Sequence, residues 1–149
     1  MTARWKRSLA TFLLAVLALV ISACSPAGSA ASSAGGQAGG KNADGYTDIT
    51  VHELEASLQS DDLTLVNVHV PYEGEIEGTD LFIPFDQIGD SLDQLPGKDD
   101  QIVLYCRSGS MSTTAARELA ELGYTNVLEL DGGFNAWKAA GNELLLQDQ

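Results

Sequence analysis

The sequence predicts an α/β domain, a small parallel β-sheet with helices on both faces, folded as a single domain. Three observations carry this. Short, largely β-branched or aliphatic runs, 63–68 (LTLVNV), Gln101–Tyr105 (QIVLY) and Val127–Leu130 (VLEL), lie between polar segments. They are apolar at consecutive positions, as strands covered on both faces are. Segments of helical periodicity alternate with them, and strands joined through helices run parallel.

Taken in order, Thr50-Val51-His52-Glu53 has the form of a capping box, with Leu54 and Leu58 following at helical spacing, which predicts a helix over 51–59. The strand 63–68 comes next, then Gln101–Tyr105. The segment 112–122 (STTAARELAEL) begins with hydroxyl residues able to cap, sets Ala115, Ala116, Leu119 and Leu122 on one stripe, and stops at Gly123. After Val127–Leu130, the segment 133–140 (GFNAWKAA) repeats the scheme and ends at Gly141. Inside the domain there are no internal repeats.

Ahead of the domain the composition changes. Arg4, Lys6 and Arg7 precede an apolar run, 9–21 (LATFLLAVLALVI), closed by Ser22-Ala23-Cys24. That order predicts an export signal, and the run is shorter than the roughly 20 residues a spanning helix needs. Ile21-Ser22-Ala23-Cys24 resembles the bacterial lipobox, which implies cleavage before Cys24 and lipidation of its thiol. An ordinary secretory signal with an incidental cysteine is the alternative. Residues 25–41 are almost entirely Ser, Ala and Gly. Such a coil is a flexible tether with a mean reach on the order of 25 Å. The expected organisation is a lipoprotein signal peptide at 1–23, a lipidated Cys24 and flexible linker at 24–45, and one domain at 46–149. The expected location is the extracytoplasmic face of a cell membrane, or an outer membrane where the source has one.

Three of the eight basic residues fall in the leader, leaving five against 21 acidic residues and a net charge near −16. Nucleic acid and anionic lipid surfaces are repelled by such a domain. With Cys24 consumed by lipid, Cys106 has no intramolecular partner, and a free thiol in an exported protein calls for an explanation.

Ligands of open α/β sheets bind beyond the carboxyl ends of the strands, and Cys106 directly follows one. The loop Cys106-Arg107-Ser108-Gly109-Ser110-Met111 leads to a helix expected at about Ser112, so its amides can turn toward the sulfur. Amides and a helix N-terminus stabilise a thiolate and equally hold an anion. The alternative is a small buried hydrophobe. Phe134 and Trp137 read as core packing for the last helix.

The segment 102–112 (IVLYCRSGSMS), then Gly123-Tyr124 and Asn126-Val127, then Asp131-Gly132-Gly133-Phe134-Asn135-Ala136-Trp137, resembles the rhodanese-like domain. The active loop of that family reads Cys-Arg-Ser-Gly-x-Arg-Ser, and its end carries Gly-Gly-x-x-x-Trp. The likeness runs from about Tyr46 to the C-terminus. It implies a sulfurtransferase or persulfide carrier. Cys106 takes sulfur from a donor such as thiosulfate or a persulfide and passes it to an acceptor, small or a protein thiol, with no metal or organic cofactor. The amides of Arg107, Ser108, Gly109, Ser110, Met111 and Ser112 would hold the outer sulfur, and Arg107 would attract an anionic donor.

The chain departs from that pattern. Met111 stands where the loop commonly has Arg, and Asn67-Val68-His69 stands for Asp-Val-Arg. His69 and Glu73 are possible pocket residues, His69 alternatively a satisfied structural histidine. Glu73, Glu75, Glu77 and Asp80 make an acidic loop, which disfavours thiosulfate or is merely solvated. Cysteine phosphatases with Cys-x5-Arg need an Arg where this chain has Ser112. A non-catalytic binding module and a thiol redox protein remain as rival readings.

Overall fold

A computed structural model of the chain describes residues 39–60 and 62–146. The leader, Cys24 and most of the linker lie outside the described residues. Five strands form one parallel sheet: β1 (Thr47–Ile49), β2 (Leu63–Asn67), β3 (Leu81–Phe82), β4 (Gln101–Tyr105) and β5 (Val127–Leu130), in the order β1-β5-β4-β2-β3. Three helices alternate with them: α1 (Val51–Ser57), α2 (Ser110–Glu121) and α3 (Gly133–Ala139). A 3₁₀ helix, Phe85–Asp90, lies between β3 and β4. This is the fold class expected from the alternation. Among the described residues no helix is long and apolar enough to cross a membrane.

The central strands are buried on both faces because alternate side chains enter two separate cores. Val66, Ile102, Leu104 and Val127 face α2 and the 3₁₀ helix, meeting Ala115, Ala116, Leu119 and Ile88. Leu65, Val103, Tyr105 and Leu130 face α1 and α3, meeting Leu54, Phe134 and Trp137. Thr50 caps α1 as expected: Glu53 N–H donates to the Thr50 hydroxyl, and Thr50 N–H donates to the Glu53 carboxylate at 2.7 Å.

Helix α2 departs from its expected start. It begins at Ser110, and Gly109 takes the N-cap position with φ 99°, so no hydroxyl caps it. A left-handed cap suits glycine, and it shortens the loop after Cys106. Ser112, expected among the capping residues, lies inside the first turn and is buried, with its hydroxyl turned to the site described below.

Candidate active site

Cys106 follows β4 at the carboxyl end of the sheet, buried and free of any disulfide. The chain turns over its sulfur. Gly109 N–H donates to Sγ at 3.2 Å, and the Ser112 hydroxyl lies 3.4 Å from it. Burial alone pushes this thiol up. The Ser112 hydroxyl and the N–H groups of Ser112, Ser108 and Met111 outweigh it, and the thiol lies below its ordinary range.

The loop is held from behind as well. Phe134 N–H donates to the Cys106 carbonyl at 2.9 Å, and Asn135 N–H to the Arg107 carbonyl at 3.0 Å. With its carbonyls turned toward α3, the loop has its N–H groups free for the sulfur. This contact requires glycine at 133, where φ is 54° and a Cβ would overlap the Cys106 carbonyl oxygen.

A cavity of about 190 Å³ opens over the sulfur, lined by His69, Cys106, Arg107, Ser108, Ser110 and Met111. A larger one, about 470 Å³, is lined by Glu55, Leu58, Glu77 and Trp137 among others, and none of its lining residues is a cysteine. The smaller cavity is the one with chemistry. His69, 2% exposed, lies just beyond β2, edge-on to the Phe134 ring with centroids 5.4 Å apart. Its Nε2 comes within 3.4 Å of Glu73 Oε1, but without hydrogen-bond geometry, so both ring nitrogens are buried with no hydrogen-bond partner. Glu73 stays at the rim, where it accepts a 3.0 Å hydrogen bond from Arg107.

Asn67 meets the need left by the absent Asp. Its amide donates to the Gly74 carbonyl at 3.1 Å and its oxygen accepts from His69 N–H at 3.0 Å. The loop that carries Glu73 is further tied down by the buried Tyr105 hydroxyl, which accepts from Ile76 N–H at 3.0 Å. A neutral amide holds this turn without a buried charge to compensate.

Of the residues singled out from the sequence, Cys106, Arg107, Ser108, Ser110, Met111 and His69 line one cavity. Gly109 and Ser112 instead bond the sulfur, and Glu73 reaches the site through Arg107. Sequence reasoning missed Glu129. It sits on β5, 2% exposed, and its Oε1 lies 2.5 Å from the Ser112 hydroxyl oxygen. Burial pushes its carboxyl up to about 7, against the Ser112 hydrogen bond and with help from Asp48 and Asp131. The available signal was a lone charge inside VLEL, a strand expected to be covered on both faces.

The family model described as rhodanese-like domain matches residues 50–140. A sulfurtransferase of Allochromatium vinosum is 38% identical over 85 residues, covering 55% of this chain and 78% of that protein. The thiosulfate sulfurtransferase GlpE of Pseudoalteromonas translucida is 44% identical over 45 residues, 30% of this chain and 43% of the relative. The crystal structure of a rhodanese-like domain protein from Staphylococcus aureus has a TM-score of 0.59 at 29% identity, covering 68% of this chain and 99% of that one. The matched residues exceed half of the sequence and run from the cap of α1 to the end of α3, through every residue of the cavity, and so the chain belongs to the rhodanese-like domain family.

Proposed function

We propose that this protein is a sulfurtransferase or persulfide carrier that takes a sulfane sulfur onto Cys106 and hands it to a thiophilic acceptor. One observation carries the reading: a buried sulfur under hydrogen-bond donors, at the floor of a cavity of about 190 Å³ with room for another sulfur. The family match and the two sulfurtransferase relatives support it.

The thiolate attacks the donor's terminal sulfur. An Sγ–S bond forms, the donor's own S–S bond breaks, and its electron pair leaves on sulfite from thiosulfate, or on a thiolate from an organic persulfide. The outer sulfur on Cys106 then carries negative charge into the cavity, where the loop amides and the N-terminus of α2 favour an anion. An acceptor nucleophile attacks that sulfur, Sγ departs as thiolate, and the cycle closes without metal or organic cofactor.

The cavity's composition favours a neutral or protein-borne persulfide over thiosulfate. Met111 brings a thioether where the family's loop has a cation, and Arg107 is already bonded to Glu73 at 3.0 Å. Mass spectrometry of the full chain after treatment with thiosulfate or a small organic persulfide tests the reading. A gain of one sulfur atom on Cys106, released as thiocyanate by cyanide and absent in Cys106→Ser, is the expected result. No gain from either donor overturns it and leaves a recognition domain.

We also propose that Cys24 carries lipid and holds the domain outside the cytoplasmic membrane; the lipobox-like 21–24 and the Ser/Ala/Gly tether support this. Cys24→Ala should move the protein from the membrane to the soluble extracytoplasmic fraction. Unchanged fractionation defeats the assignment.

A further inference from the structure

The Ser112 hydroxyl has one proton and three acceptors within reach: Cys106 Sγ at 3.4 Å, the Gly109 carbonyl at 3.1 Å and Glu129 Oε1 at 2.5 Å. Two oxygens at 2.5 Å must share a proton, which comes from Ser112 or from Glu129. If Ser112 supplies it, the hydroxyl has nothing left to give the sulfur. If Glu129 supplies it, the hydroxyl is free to donate to Sγ, which as a thiolate competes for the proton with the neutral Gly109 carbonyl. The protonation state of a carboxyl with no direct contact to the cavity thus decides whether the thiolate has its side-chain donor.

We propose that Glu129 is a positioning residue for Cys106: as a neutral acid it donates to Ser112 Oγ and turns the Ser112 proton onto the sulfur, and on ionisation it takes that proton's direction for itself. Only the carboxyl O–H bond of Glu129 breaks, and no bond between heavy atoms changes. Glu129 releases one proton to solvent, the hydroxyl rotates, and the sulfur loses a donor while gaining a negative neighbour. This assignment concerns the thiolate and stands whether or not sulfur transfer is the outcome.

The surroundings of Glu129 fit an acid that is neutral at moderate pH. Its side chain lies under the first turn of α2, and its oxygen would be 3.6 Å from a Cβ placed on Gly109. Charged groups from the neighbouring elements are Asp48, its register partner on β1, and Asp131, in the turn after β5. The strand on its other side, β4, presents Leu104 in register. Across Ser112 stands Cys106. Two acidic neighbours and burial all disfavour the carboxylate, and its carboxyl is pushed up to about 7. Two acids coupled through one hydroxyl titrate in macroscopic steps that belong to the pair.

The test follows the ultraviolet thiolate absorbance and the rate of alkylation by iodoacetamide across pH, in the full chain carrying Cys24→Ser so that Cys106 is the only thiol. With Glu129 present, both readouts should rise in two steps. In Glu129→Gln, whose amide N–H donates to Ser112 Oγ at every pH, they should rise in one step displaced to lower pH. Superimposable profiles, or a second step that persists in the Gln variant, overturn the proposal. Should Glu129→Gln not fold, carbon-13 NMR of the Glu129 carboxyl in the Cys24→Ser chain decides. Its titration should move to lower pH once Cys106 is alkylated, because the negative sulfur is gone, and an unmoved midpoint refutes the coupling. Alkylation needs no sulfur donor, so failure of sulfur uptake and failure of the coupling are read separately.

Discussion

Arg107 and Glu73 form an ion pair at 3.0 Å whose side chains are 53% and 38% exposed, so solvent screens it and it adds little stability. Its effect is on the donor instead. The pair neutralises the guanidinium beside the cavity, and Met111 supplies no replacement charge. Glu73→Gln frees Arg107 and removes a repelling carboxylate. Sulfur uptake from thiosulfate should therefore rise about fivefold, the rate equivalent of ~1 kcal/mol, while uptake from a neutral persulfide changes little. Parallel rate measurements with the two donors check this. At this scale the sequence was informative where chemistry is local: a cysteine at a strand end followed by a polar, glycine-containing loop announces itself. Glu129 was harder to read: the lone charge inside VLEL marks the residue but not its partner, Ser112 on α2, seventeen positions away in the chain.

Among the elements, the loop after Cys106 is held between two helices. The first turn of α2 gives its N–H groups to the sulfur, and the first turn of α3 bonds the loop's carbonyls. Gly133→Ala puts a methyl into the Cys106 carbonyl at a positive φ. The change should cost at least ~2 kcal/mol of stability and slow sulfur uptake on the order of 10- to 100-fold, since the loop must shift. Gly141→Ala is the control: φ is also positive, but no atom lies within 4 Å of the added Cβ, so uptake should be unchanged. Thermal denaturation and uptake rates distinguish the two. The central strands β2, β4 and β5 and all three helices were legible from their apolar runs and periodicity. The edge strands β1 and β3, three and two residues long, are too short for any period to show. The start of α2 was misplaced by two residues because serine and threonine read as caps, whereas Gly109 forms the cap and Ser112 turns inward.

Across the whole molecule, Glu129 also links the site to stability. The native state holds its proton more tightly than the unfolded chain, where the carboxyl titrates near 4.5. Its stabilising contribution is complete below about 4.5 and is lost as pH rises through about 7, a loss approaching ~3 kcal/mol. Urea denaturation at mildly acidic and mildly alkaline pH should show the natural protein losing more stability on the alkaline side than Glu129→Gln, whose amide does not titrate. Equal losses in both would mean that the buried carboxyl is ionised throughout. The wider charge pattern, five basic against 21 acidic residues after Arg7, makes polyanions unfavourable visitors to the thiol.

The bonds from Phe134 and Asn135 to the carbonyls of Cys106 and Arg107 bear on how the protein is made. Ribosomes deliver the thiol well before the segment that braces it. Until its last helix docks, the loop's carbonyls lack these partners, and the N–H groups over the sulfur are less firmly held. The same chain that ends up with a sharpened nucleophile therefore starts with a blunter one, and its reactivity rises as folding is completed.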